Sequence, residues 1–302
     1  CISRLSGDAM NQAGRLRKLI TEDRCHIMPC CYDALSAMLI EQEGFELTFM
    51  SGFASSASRI GAPDLGLMSY GEVVDQIRSI AEAIQIPLLA DGDTGYGNAM
   101  NVRRTISGFA RAGASVVMIE DQLAPKRCGH TQGKAVVQRN EAFDRIRAAI
   151  DIRDELQEQG VDILILARTD ARQEHGLIEA IDRACEFSRL GADILFVEAP
   201  HSENEMVEIC RSLPGPKMAN IVEGGVTPEL AAEDLGQIGY SIAAYPLTLL
   251  SASMRAMIEA LRALKGRGVQ NLMDFDELRE RIGFNTYYEI SGRYESSRRE
   301  KN

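Results

Sequence analysis

Short apolar runs alternate along this chain with longer segments in which apolar residues recur at helical spacing, and the rhythm persists from about residue 26 to residue 265. After a polar helical lead-in from Gln12 to Thr21, eight runs read as strands. They are His26 to Cys30, Leu47 to Met50, Ile86 to Ala90, Ser115 to Ile119, Asp162 to Ala167, Asp193 to Val197, Lys217 to Ile221 and Tyr240 to Ala244. Ile163-Leu164-Ile165-Leu166 is apolar without interruption, as a strand buried on both faces should be. The intervening segments Tyr70 to Ile84, Asn98 to Ala112, Asn140 to Gln159, Leu177 to Leu190 and Ser202 to Ser212 read as amphipathic helices. Val73, Ile77, Ile80 and Ile84, spaced four, three and four apart, mark one apolar face.

Eight βα units over about 240 residues match the length of an α/β fold of the (β/α)8 TIM-barrel type. A doubly wound open sheet is the rival, but it would carry a glycine-rich phosphate turn after its first strand, and Pro29-Cys30-Cys31-Tyr32-Asp33 is not one. The expected organisation is a single barrel domain over residues 1–302, with an N-terminal lead-in over 1–25 and a C-terminal helical extension from about 266. Ser51 to Ser69, rich in Ser, Ala and Gly, is long for a βα loop and therefore a functional candidate. The tail from Asn271 to Asn302 is helical by pattern and carries Phe275, Phe284, Tyr287 and Tyr288, aromatics that suit either docking on another subunit or packing on the same barrel.

Composition narrows the function classes. The 302 residues include 45% hydrophobic and 25% charged positions, enough for a large core. With 33 Lys plus Arg against 44 Asp plus Glu, the net charge of −11 argues against nucleic-acid and anionic-membrane partners and favours a small-molecule ligand. No apolar run approaches the roughly 20 residues that span a bilayer. The seven scattered cysteines suit a reducing compartment, so a cytoplasmic setting is expected, although a chain opening on Cys1 leaves room for a preceding leader.

In a barrel, the chemistry sits where strands end. Ser51-Gly52-Phe53 follow the second run, Asp91-Gly92-Asp93-Thr94-Gly95 the third, Glu120-Asp121 the fourth and Arg168-Thr169-Asp170 the fifth. Glu198 follows the sixth, Asn220 and Glu223-Gly224-Gly225 the seventh, and Tyr245-Pro246-Leu247 the eighth. Asp91, Asp93 and Glu120 would repel one another unless a cation compensates. Hard oxygen ligands with room for water suit Mg2+, with Mn2+ as the substitute. The competing reading has these acids capping helices or pairing with arginines. Arg168 can grip a substrate carboxylate with two parallel hydrogen bonds, or form a structural ion pair with an acid such as Glu198. Ser51 and Gly52 can present a hydroxyl and backbone N–H groups to a second carboxylate.

Cys25, Cys30, Cys31, Cys185 and Cys210 read as packing material, and His26, His175 and His201 as locally hydrogen-bonded or solvated. Cys128 differs, because Lys126, Arg127 and His130 flank it on a segment loosened by Gly129 and would lower its pKa. A metal, a carboxylate clamp and a thiol acid together describe enolate chemistry.

Lys126-Arg127-Cys128-Gly129-His130, with Asp91-Gly92-Asp93-Thr94-Gly95, Ile119-Glu120-Asp121-Gln122 and Ala167-Arg168-Thr169-Asp170, resembles the isocitrate lyase and phosphoenolpyruvate mutase superfamily from about Arg15 to Lys265. The resemblance is nearest to its 2,3-dimethylmalate lyase, petal death protein and 2-methylisocitrate lyase branch. It implies Mg2+-dependent retro-aldol (Claisen-type) cleavage of a 2-hydroxy di- or tricarboxylate into a 2-oxo acid and a second carboxylic acid. Cys128 would be the general acid, with Lys126, His130, Glu120 and Arg168 also catalytic, and Asp91 and Asp93 would hold the metal. Ser51, Gly52, Phe53, Asp64, Gly129, Arg168, Glu198, Asn220 and Pro246 would bind substrate. The family is similar in using a barrel whose last helix is swapped between subunits, which implies a homotetramer built as a dimer of helix-swapped dimers.

Departures from the 2-methylisocitrate lyase pattern, Phe53 in place of a glycine and Ser251 in place of an arginine, point to a 2-alkylmalate such as 2,3-dimethylmalate. Pro246, where related oxaloacetate hydrolases tend to carry serine, points the same way. Oxaloacetate hydrolase or decarboxylase and carboxyphosphonoenolpyruvate phosphonomutase remain the alternatives. A catalytically silent dicarboxylate-binding barrel is disfavoured by the joint presence of Asp91, Asp93, Cys128 and Arg168.

Overall fold

The structure, a computed structural model, describes residues 12–126, 135–266, 268 and 272–299, the last five as backbone. The chain divides into two compact units, Cys1–Leu250 and Ser251–Asn302. In the first, eight parallel strands form a nearly closed barrel: β1 (His26–Cys31), β2 (Thr48–Met50), β3 (Leu88–Asp91), β4 (Val116–Glu120), β5 (Leu164–Thr169), β6 (Ile194–Val197), β7 (Met218–Asn220) and β8 (Ile242–Tyr245). Each strand pairs with its sequence neighbour from β1 to β6, β7 pairs with β8, and β8 returns to β1 through His26↔Ile242 to Pro29↔Tyr245. The seam between β6 and β7 has no registered ladder among the described residues, only an isolated Leu195↔Lys217 backbone bridge.

All eight predicted strands form, and four of them, β3, β4, β5 and β8, lie a residue or two further along than the apolar runs that signalled them. The reason is that a ladder needs backbone groups rather than apolar side chains, so pairing continues onto the polar rim, as in Glu120↔Arg168. Alternation then sorts the side chains. Val116 and Met118 face the barrel interior with Leu89, Leu164, Leu166 and Phe196. Val117, Ile119, Ile165 and Ala167 face the helices and pack with Ile77, Ile106, Phe109 and Phe187.

The helices of the first unit are α1 (Gln12–Leu19), α2 (Ala34–Gln42), α3 (Gly52–Ile60), α4 (Tyr70–Ala83), α5 (Ala99–Ala112), α6 (Arg139–Glu158), α7 (Ala171–His175), α8 (Leu177–Leu190), α9 (Glu203–Ser212) and α10 (Ala232–Ile238). Leu16, Leu19 and Ile20, on or just beyond α1, join the interior cluster and plug it. Asn98 and Ser202, read from the sequence as first helical residues, are N-caps whose side chains accept backbone N–H groups of the first turn.

One expectation is corrected. Ser51 to Ser69 is not simply a long loop, because its first half is α3, capped by Ser51 Oγ accepting from the Ala54 N–H. Small residues masked the helical period there. Helix α11 (Thr248–Leu264) runs from the first unit into the second, which continues with α12 (Phe275–Arg281) and α13 (Phe284–Arg299). Phe275, Tyr287, Tyr288 and Tyr294 are exposed, and the Arg279 guanidinium lies 5.7 Å from the ring centroids of Phe275, Phe284 and Tyr288. Among the described residues, no helix is long and apolar enough to cross a membrane.

Candidate active site

The same alternation that fills the barrel delivers the site. Continuing each inward-facing series by two residues gives Ser51 after Phe49, Asp91 after Leu89, Glu120 after Met118, Arg168 after Leu166, Glu198 after Phe196 and Asn220 after Met218. All six line one cavity at the carboxyl ends of the strands. Phe53, Val222, Pro246 and Leu247 add apolar lining, and Gly52, Asp64 and Lys126 also face it. Cys30 lines it too, a position that the sequence had marked as packing. Its signal was the same alternation, since Cys30 follows Met28 into the interior layer. Burial raises its thiol well above the usual range, so it contributes shape rather than a nucleophile.

Asp91 and Asp93 are brought together by a tight turn in which the Asp93 N–H donates to Asp91 Oδ1 at 3.0 Å. Asp93 takes a left-handed φ of 51°, and its carbonyl accepts from the Glu120 N–H at 3.0 Å, tying the turn to β4. The glycine between them is obligatory, because a Cβ on Gly92 would lie 2.6 Å from the Met118 carbonyl oxygen.

The Lys126 ammonium sits among these acids. It touches Asp93 Oδ1 and lies 3.1 Å from Asp64 and 3.5 Å from Asp91. Burial would lower its pKa, but the four carboxylates of Asp91, Asp93, Asp64 and Glu120 hold it well above the ordinary lysine value. Burial would likewise raise Asp91, yet Lys126, the Asp93 N–H and Arg168 keep it below its ordinary value. Asp93 goes the other way, pushed up to about 7 by burial and by the charges of Asp91 and Asp64 despite Lys126.

Arg168 is held from the side. Its Nε and Nη2 donate to Asp170 at 2.8 and 2.9 Å, Glu120 lies 3.4 Å and Glu198 3.7 Å away, and the guanidinium carbon is 5.2 Å from the Phe196 ring centroid. The sequence posed a substrate clamp against a structural ion pair, and the geometry contains both. One edge is spent on Asp170, while the Nη1/Nη2 edge remains to meet a planar carboxylate. Glu120 is 2% exposed, and its Oε1 has no hydrogen-bond partner among the described residues. Burial, opposed by Arg168 and reinforced by Asp170, raises its pKa well above the usual range.

By alternation Asp121 and Thr169 point outward, and they build a support. Asp121 accepts from Thr169 Oγ1 at 2.7 Å, the Asp170 N–H at 2.9 Å and Arg183 Nη1 at 3.1 Å. Arg183 Nη1 also donates to the Val137 carbonyl at 2.9 Å, and Arg145 Nη1 to the Gln122 carbonyl at 2.8 Å. The strand end carrying the clamp and both flanks of segment 127–134 therefore share one buried network. Arg127, Cys128, Gly129 and His130 lie outside the described residues.

Glu179 closes that network, holding Arg183 and Arg139. Hydrogen bonds from Arg139, and then from Arg183, lower its pKa from 4.5 to about 2. A depressed carboxylate pKa stabilises the fold above the unfolded value and ceases to do so as pH falls through the folded one. Glu179→Gln should therefore melt about 2 °C lower than the parent at neutral pH. The gap should narrow below pH 4.5 and close near pH 2, which paired thermal melts would reveal. A gap independent of pH would contradict the linkage.

Gly52 marks the tightest point of the wall. A Cβ there would lie 2.5 Å from Asp91 Oδ2 and 3.1 Å from Lys126 Nζ. Gly52→Ala is expected to displace the Asp91 carboxylate and cost on the order of 10²-fold in kcat/KM with the melting temperature nearly unchanged. Activity within a factor of about two of the parent would show that the close approach is immaterial.

Whether a hard divalent cation fits can be judged from the donors. Asp64, Asp91, Asp93 and the unpartnered Glu120 Oε1 supply only oxygen, and their combined charge exceeds that of Lys126. Among the described residues, no three such side chains stand arranged around a vacant point, since the ammonium occupies the place between Asp64, Asp91 and Asp93. The donor chemistry fits Mg2+ or Mn2+ once that place is yielded.

The family model described as phosphoenolpyruvate phosphomutase matches residues 16–265. The chain is 38% identical over 294 residues to the 2,3-dimethylmalate lyase of Eubacterium barkeri, covering 96% of this chain and 100% of that protein. It is 40% identical to the chloroplastic carboxyvinyl-carboxyphosphonate phosphorylmutase of Arabidopsis thaliana, covering 94% of this chain and 85% of that one. Among solved structures, oxaloacetate acetylhydrolase in complex with the inhibitor 3,3-difluorooxalacetate superposes with a TM-score of 0.89 at 33% identity, covering 93% of this chain and 96% of the other.

Proposed function

Because the chain belongs to the phosphoenolpyruvate phosphomutase family, we propose that it is a carbon–carbon lyase that cleaves a 2-alkylmalate, with 2,3-dimethylmalate the first substrate to try and 2-methylisocitrate the second. The observation that carries this reading is the mixed lining of the cavity. Arg168, Ser51 and the N-terminus of α3 offer donors to carboxylates, while Phe53, Val222, Pro246 and Leu247 offer an alkyl group apolar contact. The cations among its described lining residues are Arg168 and Lys126, the latter engaged by Asp64, Asp91 and Asp93.

The residues divide the work. Arg168, through its Nη1/Nη2 edge, and Ser51 with Gly52 orient the 2-oxo acid portion, with Asp64, Asn220 and Glu198 completing the wall. Glu120, a carboxylate with an elevated pKa and an unpartnered oxygen, takes the 2-hydroxyl proton. The C2–C3 bond breaks, its electron pair passing to the departing carboxylic acid's α-carbon, and the Cys128 thiol, supported by Lys126 and His130, protonates that carbon. Asp91 and Asp93 would hold a divalent cation, Mg2+ or Mn2+, which when bound supplies Lewis-acid polarisation of substrate oxygens. The exposed aromatics of α12 and α13 favour assembly into a helix-swapped homotetramer, and the free thiols of the described cysteines suit a cytoplasmic setting.

The test is 2-oxo acid release from a panel of 2-alkylmalates and 2-methylisocitrate with Mg2+ present. No turnover of any member would sink the lyase reading. Oxalate with acetate formed from oxaloacetate, or a phosphonate product seen by 31P NMR, would replace it with the hydrolase or the phosphonomutase.

A further inference from the structure

A second, smaller cavity adjoins the first; Ser55, Gly66, Met68 and Tyr96 line it beyond the acid cluster, Asp93 borders it, and Asp64, Asp91 and Lys126 line both cavities. Two hydroxyls there, Ser55 Oγ and Tyr96 Oη, are buried without a hydrogen-bond partner among the described residues. Ser55 is 1% exposed, and Tyr96 takes a left-handed φ of 61°, a costly backbone conformation for an aromatic residue. Buried hydroxyls left unpaired are uncommon, and a pair of them beside a buried ammonium amounts to a set of acceptors in want of a donor.

The ammonium meanwhile occupies the ground that a divalent ion needs, in contact with Asp93 and within 3.5 Å of both Asp64 and Asp91. The wall offers little slack, because even a single Cβ added at Gly52 would lie 2.5 Å from Asp91 Oδ2 and 3.1 Å from Lys126 Nζ. An ammonium and a divalent cation cannot share so small a set of carboxylates in a buried site without strong repulsion.

We propose that Lys126 is a two-position counter-cation: it neutralises the acid cluster while the site holds no metal, and it withdraws into the cavity of Ser55 and Tyr96 when a divalent ion is taken up. The inference rests on the reading of Asp91 and Asp93 as metal ligands. Metal affinity is then a difference between two occupancies, with Lys126 opposing the ion at the acids and the two hydroxyls rewarding its departure.

The experiment is direct Mn2+ binding to the purified full chain, by calorimetry and by electron paramagnetic resonance of the free ion, with no substrate present. Lys126→Met, and Lys126→Gln as a second variant of different polarity, should bind Mn2+ at least roughly tenfold more tightly than the parent. Tyr96→Phe should weaken binding severalfold in the parent and leave it unchanged when combined with Lys126→Met, since the acceptor matters only when there is an ammonium to receive. Equal or weaker binding by both lysine variants, each folded by circular dichroism, would overturn the displacement. A Tyr96→Phe effect of the same size in both backgrounds would overturn the receiving cavity. Failure of the underlying metal reading looks different: the parent would bind no Mn2+, or would bind it equally well after Asp91→Asn and Asp93→Asn.

Discussion

Arg168→Lys is expected to lower kcat/KM on the order of 10³-fold, even though it conserves the charge. The guanidinium serves two planar carboxylates along two different edges, Asp170 through Nε and Nη2 and the substrate through the edge that includes Nη1. A lysine offers a single point charge on a shorter reach. It would be drawn to the buried Asp170, Glu120 and Glu198 and leave the substrate carboxylate without its matching pair of donors. The loss should fall on both kcat and KM, and the inhibition constant for oxalate should rise with it. Steady-state kinetics over the alkylmalate panel checks this. A variant within about tenfold of the parent would mean that the carboxylate is gripped elsewhere.

Cys128→Ser is the second large effect. A serine hydroxyl is a far weaker acid than a thiol at neutral pH, so turnover should fall by about 10²- to 10⁴-fold. Oxalate, which mimics the planar 2-oxo acid fragment and needs no proton, should bind within about threefold of its affinity for the parent. Calorimetry for oxalate beside the rate assay separates the two. Full activity in Cys128→Ser would remove the thiol from the proton-transfer step, and joint loss of turnover and oxalate affinity would make Cys128 a binding residue instead.

The barrel was legible because strands buried on both faces and helices buried on one leave different periods in the sequence, as Ile163-Leu164-Ile165-Leu166 and the Val73 to Ile84 face do. The rim residues were legible as whatever polar groups follow the apolar runs. Their sorting was harder to read, because it depends on alternation carried past the end of the apolar signal. Asp91, Glu120 and Arg168 fall inward, whereas Asp121 and Thr169, equally close to the strand ends, fall outward into the Arg183 network. Helix α3 was hidden because its small residues present little apolar face. The position of Lys126 could not be read, since it depends on Asp64, Asp91 and Asp93, acids far from it in sequence. Cys30 packs in the interior as read, and that it also floors the cavity could not be told, because an apolar interior position and a cavity floor carry the same composition.

The seam between β6 and β7 bears on how the molecule responds to its ligand. Every other pair of neighbouring strands is laced by a run of registered residues, but this one is joined near its base by Leu195↔Lys217 and at its rim by Asn220 Nδ2 donating weakly to Glu198 Oε1 at 3.4 Å. Both rim residues face the cavity. A substrate that contacts Glu198 and Asn220 together therefore acts as a cross-link across the weakest joint of the cylinder. Amide hydrogens along β6 and β7 should be the first of the barrel to exchange with solvent and the ones most slowed by occupancy, so that filling the site and closing the barrel become a single event.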